Sequence, residues 1–350
     1  MKLKRKKTKE VNVGGVKLGG DNPIKVQSMC NTDTRDVNST VKQIHQLEQA
    51  GCEIVRVAVS DMESAKSAGK IKKQIKIPLI ADVHYDYRIA LECLKQGIDK
   101  IRINPGNIPK DKLKIIVKEA KSAGVPLRIG VNNGSLPKDI VRKFGNTPKG
   151  MVEATAETIK LFEGLNFNRI VVSLKSSNVL ETIAANILFS EKSNYPLHLG
   201  ITEAGTIKSG TVKSSIGIGY LLLKGIGDTI RVSLSADPLE EVLVGYAILK
   251  SIGLRKGPEL ISCPTCSRAN LDVIEIANRL EKRLPNIEKP IKIGVLGCFV
   301  NVEEAKMADI GVAGAGDYGI IFKKGKIIKK VPKNKLILEL LKETKNILKE

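Results

Sequence analysis

Between residues 24 and 253 the chain repeats one unit eight times: a short apolar run rich in Val and Ile, then a longer segment with helical spacing. The runs begin at Ile24, Glu53, Pro78, Lys100, Pro126, Arg169, Tyr195 and Asp228. Such near-continuous short runs suit strands covered on both faces. The segment after the fourth run shows what lies between them: Leu113, Ile116, Val117 and Ala120 share one helical face, lysines and a glutamate take the other, and Gly124 is a C-terminal cap. Eight strand-then-helix units predict an α/β fold, a parallel (β/α)8 TIM barrel over 1–253. One connection, 133 to about 149, is longer than the rest and is a candidate lid.

The pattern changes after Gly253, and 254–350 reads as a small α+β domain. A Cys-bearing loop, PELISCPTCSR, precedes a helix over about 271–284 and a strand from 292. A glutamate-bearing loop, an apolar run at 310–313, a hairpin turning at Lys324 and Gly325, and a helix over about 335–348 complete it. GAGDYG at 314–319 has the glycine spacing of a dinucleotide fingerprint, but a hairpin follows where that motif needs a helix, so the match is accidental.

A barrel of this kind works at the C-terminal ends of its strands. Strand two carries Arg56, strand three Asp82 and His84, strand four Arg102 and Asn104, and strand five Arg128 and Asn132. Lys175 falls on strand six, Thr202 and Glu203 on strand seven, and Arg231 and Ser233 on strand eight. Five strands thus send a cation to one face, and Asp82 with Glu203 cannot neutralise all five. A phosphate or diphosphate ligand would complete the balance, and Arg suits bidentate phosphate contacts. His84 is either a general acid or a hydrogen-bonded structural residue. His198 and His45 read as structural or exposed.

The formal charge is +21, which invites a nucleic-acid reading, yet there is no Trp, aromatics are only 3%, and the lysines spread over helices instead of forming a stripe. No nucleic-acid partner is expected. No window approaches a membrane span, and the basic N-terminus leads into no apolar signal region, so a cytoplasmic protein is expected. Of six cysteines, Cys52 and Cys93 read as small buried hydrophobes, and Cys30 is left without a role. Cys263, Cys266 and Cys298 cluster late, and three thiolates favour zinc or an iron–sulfur cluster. Structural zinc wants a fourth Cys or His, and no His follows His198. Glu303 and Glu304 lie nearby, and an oxygen ligand on a cluster would leave one iron exchangeable. A zinc-stabilised phosphate-binding protein stays open as an alternative.

With these residues assembled, the chain closely resembles the 4-hydroxy-3-methylbut-2-enyl diphosphate synthases, iron–sulfur enzymes of the methylerythritol phosphate route to isoprenoids. The likeness runs through VQSM at 26–29, VRVAV at 55–59, ADVHYDYRIAL at 81–91, KIRINPGN at 100–107, RIGVNNGSL at 128–136, SLKSS at 173–177, GITEAG at 200–205, GIGDTIRVSLS at 225–235 and ELISCPTCSR at 259–268. The resemblance implies reductive ring opening and dehydration of 2-C-methyl-D-erythritol 2,4-cyclodiphosphate, with electrons from flavodoxin or ferredoxin arriving through a 4Fe-4S cluster. It implies Cys263, Cys266 and Cys298 as cluster ligands, with a glutamate on the fourth iron. It further implies that Arg56, Arg102, Asn104, Arg128, Asn132, Lys175, Thr202, Arg231 and Ser233 bind the cyclodiphosphate. Asp82, His84, Glu203 and Glu304 become the catalytic candidates, and a homodimer is implied. Where the family reads GCxVNGPGEA, this chain reads GCFVNVEEA from 297 to 305, one residue shorter and without the Gly-Pro-Gly turn. Glu304 aligns with the ligand glutamate and Glu303 is its neighbour. That departure leaves a further alternative, an inactive relative with a damaged iron site.

Overall fold

The computed structural model describes residues 4–283, 289–299 and 302–349; the side chains of 302–304 and 349 lie outside the described part. The chain divides into two units, Met1–Leu254 and Arg255–Glu350.

The first unit opens with a hairpin of β1 (Val11–Val13) and β2 (Val16–Leu18), turned by Gly14 and Gly15 at φ +54° and +91°. Eight parallel strands follow: β3 (Lys25–Met29), β4 (Ile54–Val59), β5 (Leu79–Val83), β6 (Lys100–Ile103), β7 (Leu127–Asn132), β8 (Ile170–Lys175), β9 (His198–Leu199) and β10 (Thr229–Ile230). Each pairs with the next from β3 to β8, β10 pairs with both β3 and β9, and a bridge between Val172 and Leu197 closes the ring. The expected barrel is therefore the observed one. Val11, Val13 and Leu18 pack on Ile54, Ile80 and Val171, so the hairpin corks the N-terminal end of the barrel.

The outer helices follow their sequence pattern. Helix Lys110–Ala123 buries Leu113, Ile116, Val117 and Ala120 and ends on Gly124 in the left-handed conformation, φ +71°. The long connection after β7 holds a 3-10 turn at Asn133–Ser135 and a separate helix, Lys138–Phe144, before the helix Pro148–Glu163.

The second unit is a five-stranded mixed sheet in the order β11 (Glu259–Ser262), β12 (Lys292–Leu296), β13 (Ile310–Ala315), β14 (Tyr318–Lys323), β15 (Lys326–Pro332). The first three run parallel and the last two antiparallel. Helices Val273–Glu281 and Leu336–Lys349 share its core, through Val273, Ile276, Leu280, Leu336 and Leu340. Lys324 and Gly325 sit at φ +49° and +76°, as the hairpin requires. GAGDYG forms the β13–β14 hairpin, with no helix behind it. The stretch expected to be a glutamate-bearing loop is instead a short helix, Val302–Met307. Without glycine or proline, VEEAKM consists mostly of helix formers.

Candidate active site

Ladder register shows which side chains share the barrel's inner face, because partners across a parallel ladder point to the same side. Arg56 is paired with Met29 and Ile80, Asp82 with Arg102, Arg102 with Arg128, and Asn132 with Lys175. Alternation within each strand then puts Arg56, Asp82, Arg102, Arg128 and Lys175 inside. Arg56 and Arg128 lie within their strands, below the rim where the sequence reading set them, while Lys175 is the last residue of β8. His84 and Asn104 stand one residue past β5 and β6. Thr202, Glu203, Arg231 and Ser233 were expected on strands, yet β9 ends at Leu199 and β10 at Ile230, so all four lie in the following loops. Glu203 is exposed and takes a left-handed backbone, φ +51°, uncommon for a residue with a Cβ.

Asp82 is the hub. Its Oδ1 accepts from Arg102 Nη1 at 2.9 Å and stands 3.4 Å from His84 Nε2, while Arg56 Nε approaches Oδ2 at 3.7 Å. Burial alone would raise its pKa, but Arg56, the His84 contact, Arg102 and Arg128 together hold the carboxyl well below the usual range. His84 also contacts Arg102 and lies 3.4 Å from the Asn107 amide. Arg231, counted from sequence among the unneutralised cations, is instead held by Glu241 through two bonds of 3.0 and 2.8 Å. Glu241, on the helix Pro238–Ser251, also accepts from Ser28 Oγ and Leu234 N–H. Sequence reasoning missed it, although an acid in the first turn after an arginine-bearing strand was the available signal.

Among the described residues, no carboxylate pairs with Arg128 or Lys175 in this way. Arg128 is 1% exposed, and its Nε and Nη1 find no hydrogen-bond partner among the described residues. Burial lowers the proton affinity of Lys175 and Arg128, and neighbouring guanidinium groups lower it further. The Arg56 pKa comes down to about 10, so this delocalised cation stays charged at neutral pH. Two glycines make the room. A Cβ on Gly130 would stand 2.5 Å from Arg102 Nε, and one on Gly200 would stand 2.5 Å from Lys175 Nζ. Asn104 Nδ2 donates to Ser135 Oγ at 2.8 Å and its Oδ1 accepts from Gly106 N–H, tying the loop after β6 to the loop after β7. Asn132 stands at the end of β7, its carbonyl accepting from Ser135 Oγ.

In the second unit Cys263 directly follows β11, Cys266 lies in the exposed loop beyond, and Cys298 lies two residues past the adjacent β12. All three thiols are thus carried to one end of the sheet. Gly297 N–H donates to Cys263 Sγ at 3.1 Å, the polarisation a thiolate ligand wants. Among the described residues no group of three or more His, Cys, Asp or Glu stands at metal-holding separation. The side chains of Glu303 and Glu304 lie outside the described part. By donor softness alone, three thiols suit a thiophilic metal or an iron–sulfur cluster. Cys30, Cys52 and Cys93 are buried, each thiol pushed up to about 12 chiefly by burial.

Fold and site define a class: a TIM barrel whose lumen holds more cations than carboxylates, followed by an α+β unit bearing three thiols. The particular family follows from comparison. Residues 8–246 match the GcpE TIM-barrel domain and 259–346 the GcpE protein C-terminal domain, and the chain belongs to this family. It is 56% identical to the 4-hydroxy-3-methylbut-2-en-1-yl diphosphate synthase (flavodoxin) of Caldanaerobacter subterraneus, over 99% of each chain. Its identity to the proteins of the same name from Ruminiclostridium cellulolyticum and Clostridium acetobutylicum is 54%, over 97% and 99% of this chain and 98% and 100% of theirs. Among solved structures, a sulfonamide complex of Yersinia pestis dihydropteroate synthase aligns with TM-score 0.52 at 12% identity, covering 71% of this chain and all of that one, a likeness of fold alone. No described helix is long and apolar enough to cross a membrane.

Proposed function

We propose that this chain is a flavodoxin- or ferredoxin-dependent oxidoreductase that opens and dehydrates 2-C-methyl-D-erythritol 2,4-cyclodiphosphate to 4-hydroxy-3-methylbut-2-enyl diphosphate. The observation that carries the reading is the barrel's excess of basic groups: Arg128 and Lys175, buried and without a carboxylate among the described residues, beside Arg56 and Arg102 sharing Asp82. A bound dianion supplies the missing charge.

Arg128 and Lys175 grip the diphosphate, with Arg56 and Arg102 held in place by Asp82. Asn104, Asn132, Thr202 and Ser233 orient the sugar carbon chain from the rim. His84, braced by Asp82 and half-exposed, is a catalytic candidate at the rim, and Glu203 lines the entrance. Cys263, Cys266 and Cys298 would hold a 4Fe-4S cluster, with Glu304, or its neighbour Glu303, as the oxygen ligand. When bound, that cluster supplies two electrons, one at a time, and a Lewis-acidic iron.

A homodimer is the expected assembly. Helix Ile207–Leu223 leaves Val212, Ile216, Tyr220 and Leu223 exposed along one side, an apolar face that a second copy would cover. Ile216→Glu is expected to shift the mass measured by light scattering from dimer to monomer. A cytoplasmic location goes with a flavodoxin donor and with six cysteines outside any disulfide.

The test is anaerobic turnover of the cyclodiphosphate by protein reconstituted with iron and sulfide, given a one-electron chemical reductant. Product formation is expected, and protein carrying a full cluster that forms none overturns the assignment. Zinc without acid-labile sulfide in protein purified under anaerobic conditions would replace the cluster. Cys298→Ser is expected to lower bound iron, and unchanged iron and sulfide removes Cys298 from the ligand set.

A further inference from the structure

Beneath the ring that receives the dianion lies a second polar layer that the proposed reaction leaves unused. Lys100 precedes Arg102 by two residues on β6, and His198 precedes Gly200 by two on β9, so each points into the lumen about 7 Å deeper than its successor. Thr229 is the ladder partner of His198. Gln27, from β3, completes the layer. All four side chains are fully buried, and the cork of Val11, Val13 and Leu18 closes the space below them. Lys100 Nζ, both ring nitrogens of His198, both amide atoms of Gln27 and the Thr229 hydroxyl lack hydrogen-bond partners among the described residues.

The charges facing this layer are lopsided. Arg56 from β4, Arg102 from β6, Arg128 from β7, Lys175 from β8 and Arg231 beyond β10 are basic; among the described residues, Asp82 from β5 and Glu241, which holds Arg231, are the carboxylates turned toward them. From β3, Lys25 is already bound to Glu53 at 2.8 Å. Among the described residues no carboxylate acts on Lys100, so a further cation there gains a counter-charge when an anion arrives above. We propose that Lys100 is a proton-binding member of the site: its enclosed amine takes up a proton when a dianion occupies the mouth. The inference rests on the reading of that mouth as the dianion's site. Burial, then Arg128 and Arg56, push the Lys100 amine well below its ordinary value, so an anion above it and a proton on it favour one another. His198 is depressed in the same way, by burial first and then by Lys175, Arg128 and Lys100. Two negative charges over Arg128 offset the repulsion that adds to burial in depressing the Lys100 amine. By reciprocity, the dianion binds more tightly wherever the proton is available.

Calorimetric titration of the oxidised, reconstituted full-length protein with the cyclodiphosphate, without reductant, reads this directly. Each phosphorus of the cyclic ligand carries a single strongly acidic oxygen, so protons exchanged near neutrality belong to the protein. Binding heats in two buffers of different ionisation enthalpy give the proton count at each pH. The wild type is expected to take up about half to one proton per ligand near pH 7, with Kd weakening up to about tenfold per pH unit where uptake is complete. In K100M the uptake is expected to vanish while binding remains. Binding with no uptake and a flat Kd in the wild type overturns the inference and leaves the mouth's assignment standing. Uptake that persists in folded K100M moves the proton to Lys175 or His198 and overturns the assignment to Lys100. Absence of any binding defeats the reading of the mouth itself, and this inference with it. The wild-type pH series decides the coupling even where K100M fails to fold.

Discussion

Arg128 is the side chain on which the proposed ligand binding leans most: a guanidinium enclosed by strands, with two nitrogens lacking hydrogen-bond partners among the described residues. Arg128→Ala is expected to weaken binding of the cyclodiphosphate by about 30-fold or more, the usual scale for truncating a buried ionic contact. The cluster's visible absorbance should be unchanged, and wild-type affinity in that variant would remove Arg128 from the site. Asp82 carries the opposite lesson. Its folded pKa is depressed, so its contribution to stability is present above the unfolded value near 3.8 and is lost as pH falls through the lower folded value. Asp82→Asn leaves Arg56 and Arg102 without their shared counter-charge and should cost about 3–5 kcal/mol at pH 7. In denaturant titrations the gap from wild type should close in strong acid, and a gap independent of pH would refute the electrostatic account. The cations were legible because arginine and lysine inside apolar runs are conspicuous. Glu241, which neutralises Arg231, was not, because it reaches the barrel from a helix ten positions downstream.

Elements were legible where backbone and pattern agreed. Helix Lys110–Ala123 shows its buried face and its glycine stop in the sequence, and Gly124→Ala should cost about 1 kcal/mol, read as a fall of a few degrees in Tm, because only glycine enters φ +71° freely. Gly130→Ala should act differently. Its Cβ meets Arg102 Nε at 2.5 Å, so a folded variant with impaired ligand binding is expected, and unimpaired binding would show that Arg102 has room to yield. The seventh and eighth runs were overread as long strands. There the Asp228 carboxylate accepts from Leu197 N–H at 2.8 Å, side chain standing in for strand, and the ladder is only two residues long. The opening hairpin was missed although VNV-GG-VKL alternates about a glycine pair. The glutamates after Cys298 were expected in a loop, but VEEAKM, which holds neither glycine nor proline, is a helix-forming string.

For the whole molecule, the sequence disclosed two units and the chemistry each carries, since a change of periodicity near Gly253 and a late cysteine cluster are visible in the order of residues. The net charge of +21 was less informative, because most lysines are surface residues, while the basic groups that the proposed site draws on, among them Arg56, Arg102, Arg128, Lys175 and Arg231, lie inside the barrel. No composition figure separates the two populations; burial does. The cork described at the outset has a consequence for traffic. With Val11, Val13 and Leu18 sealing the far end, the barrel is a blind well with one doorway. A departing molecule and an arriving one cannot pass each other there, so product must vacate before the next substrate enters. Inhibition by product should then be strictly competitive with the cyclodiphosphate in steady-state rates.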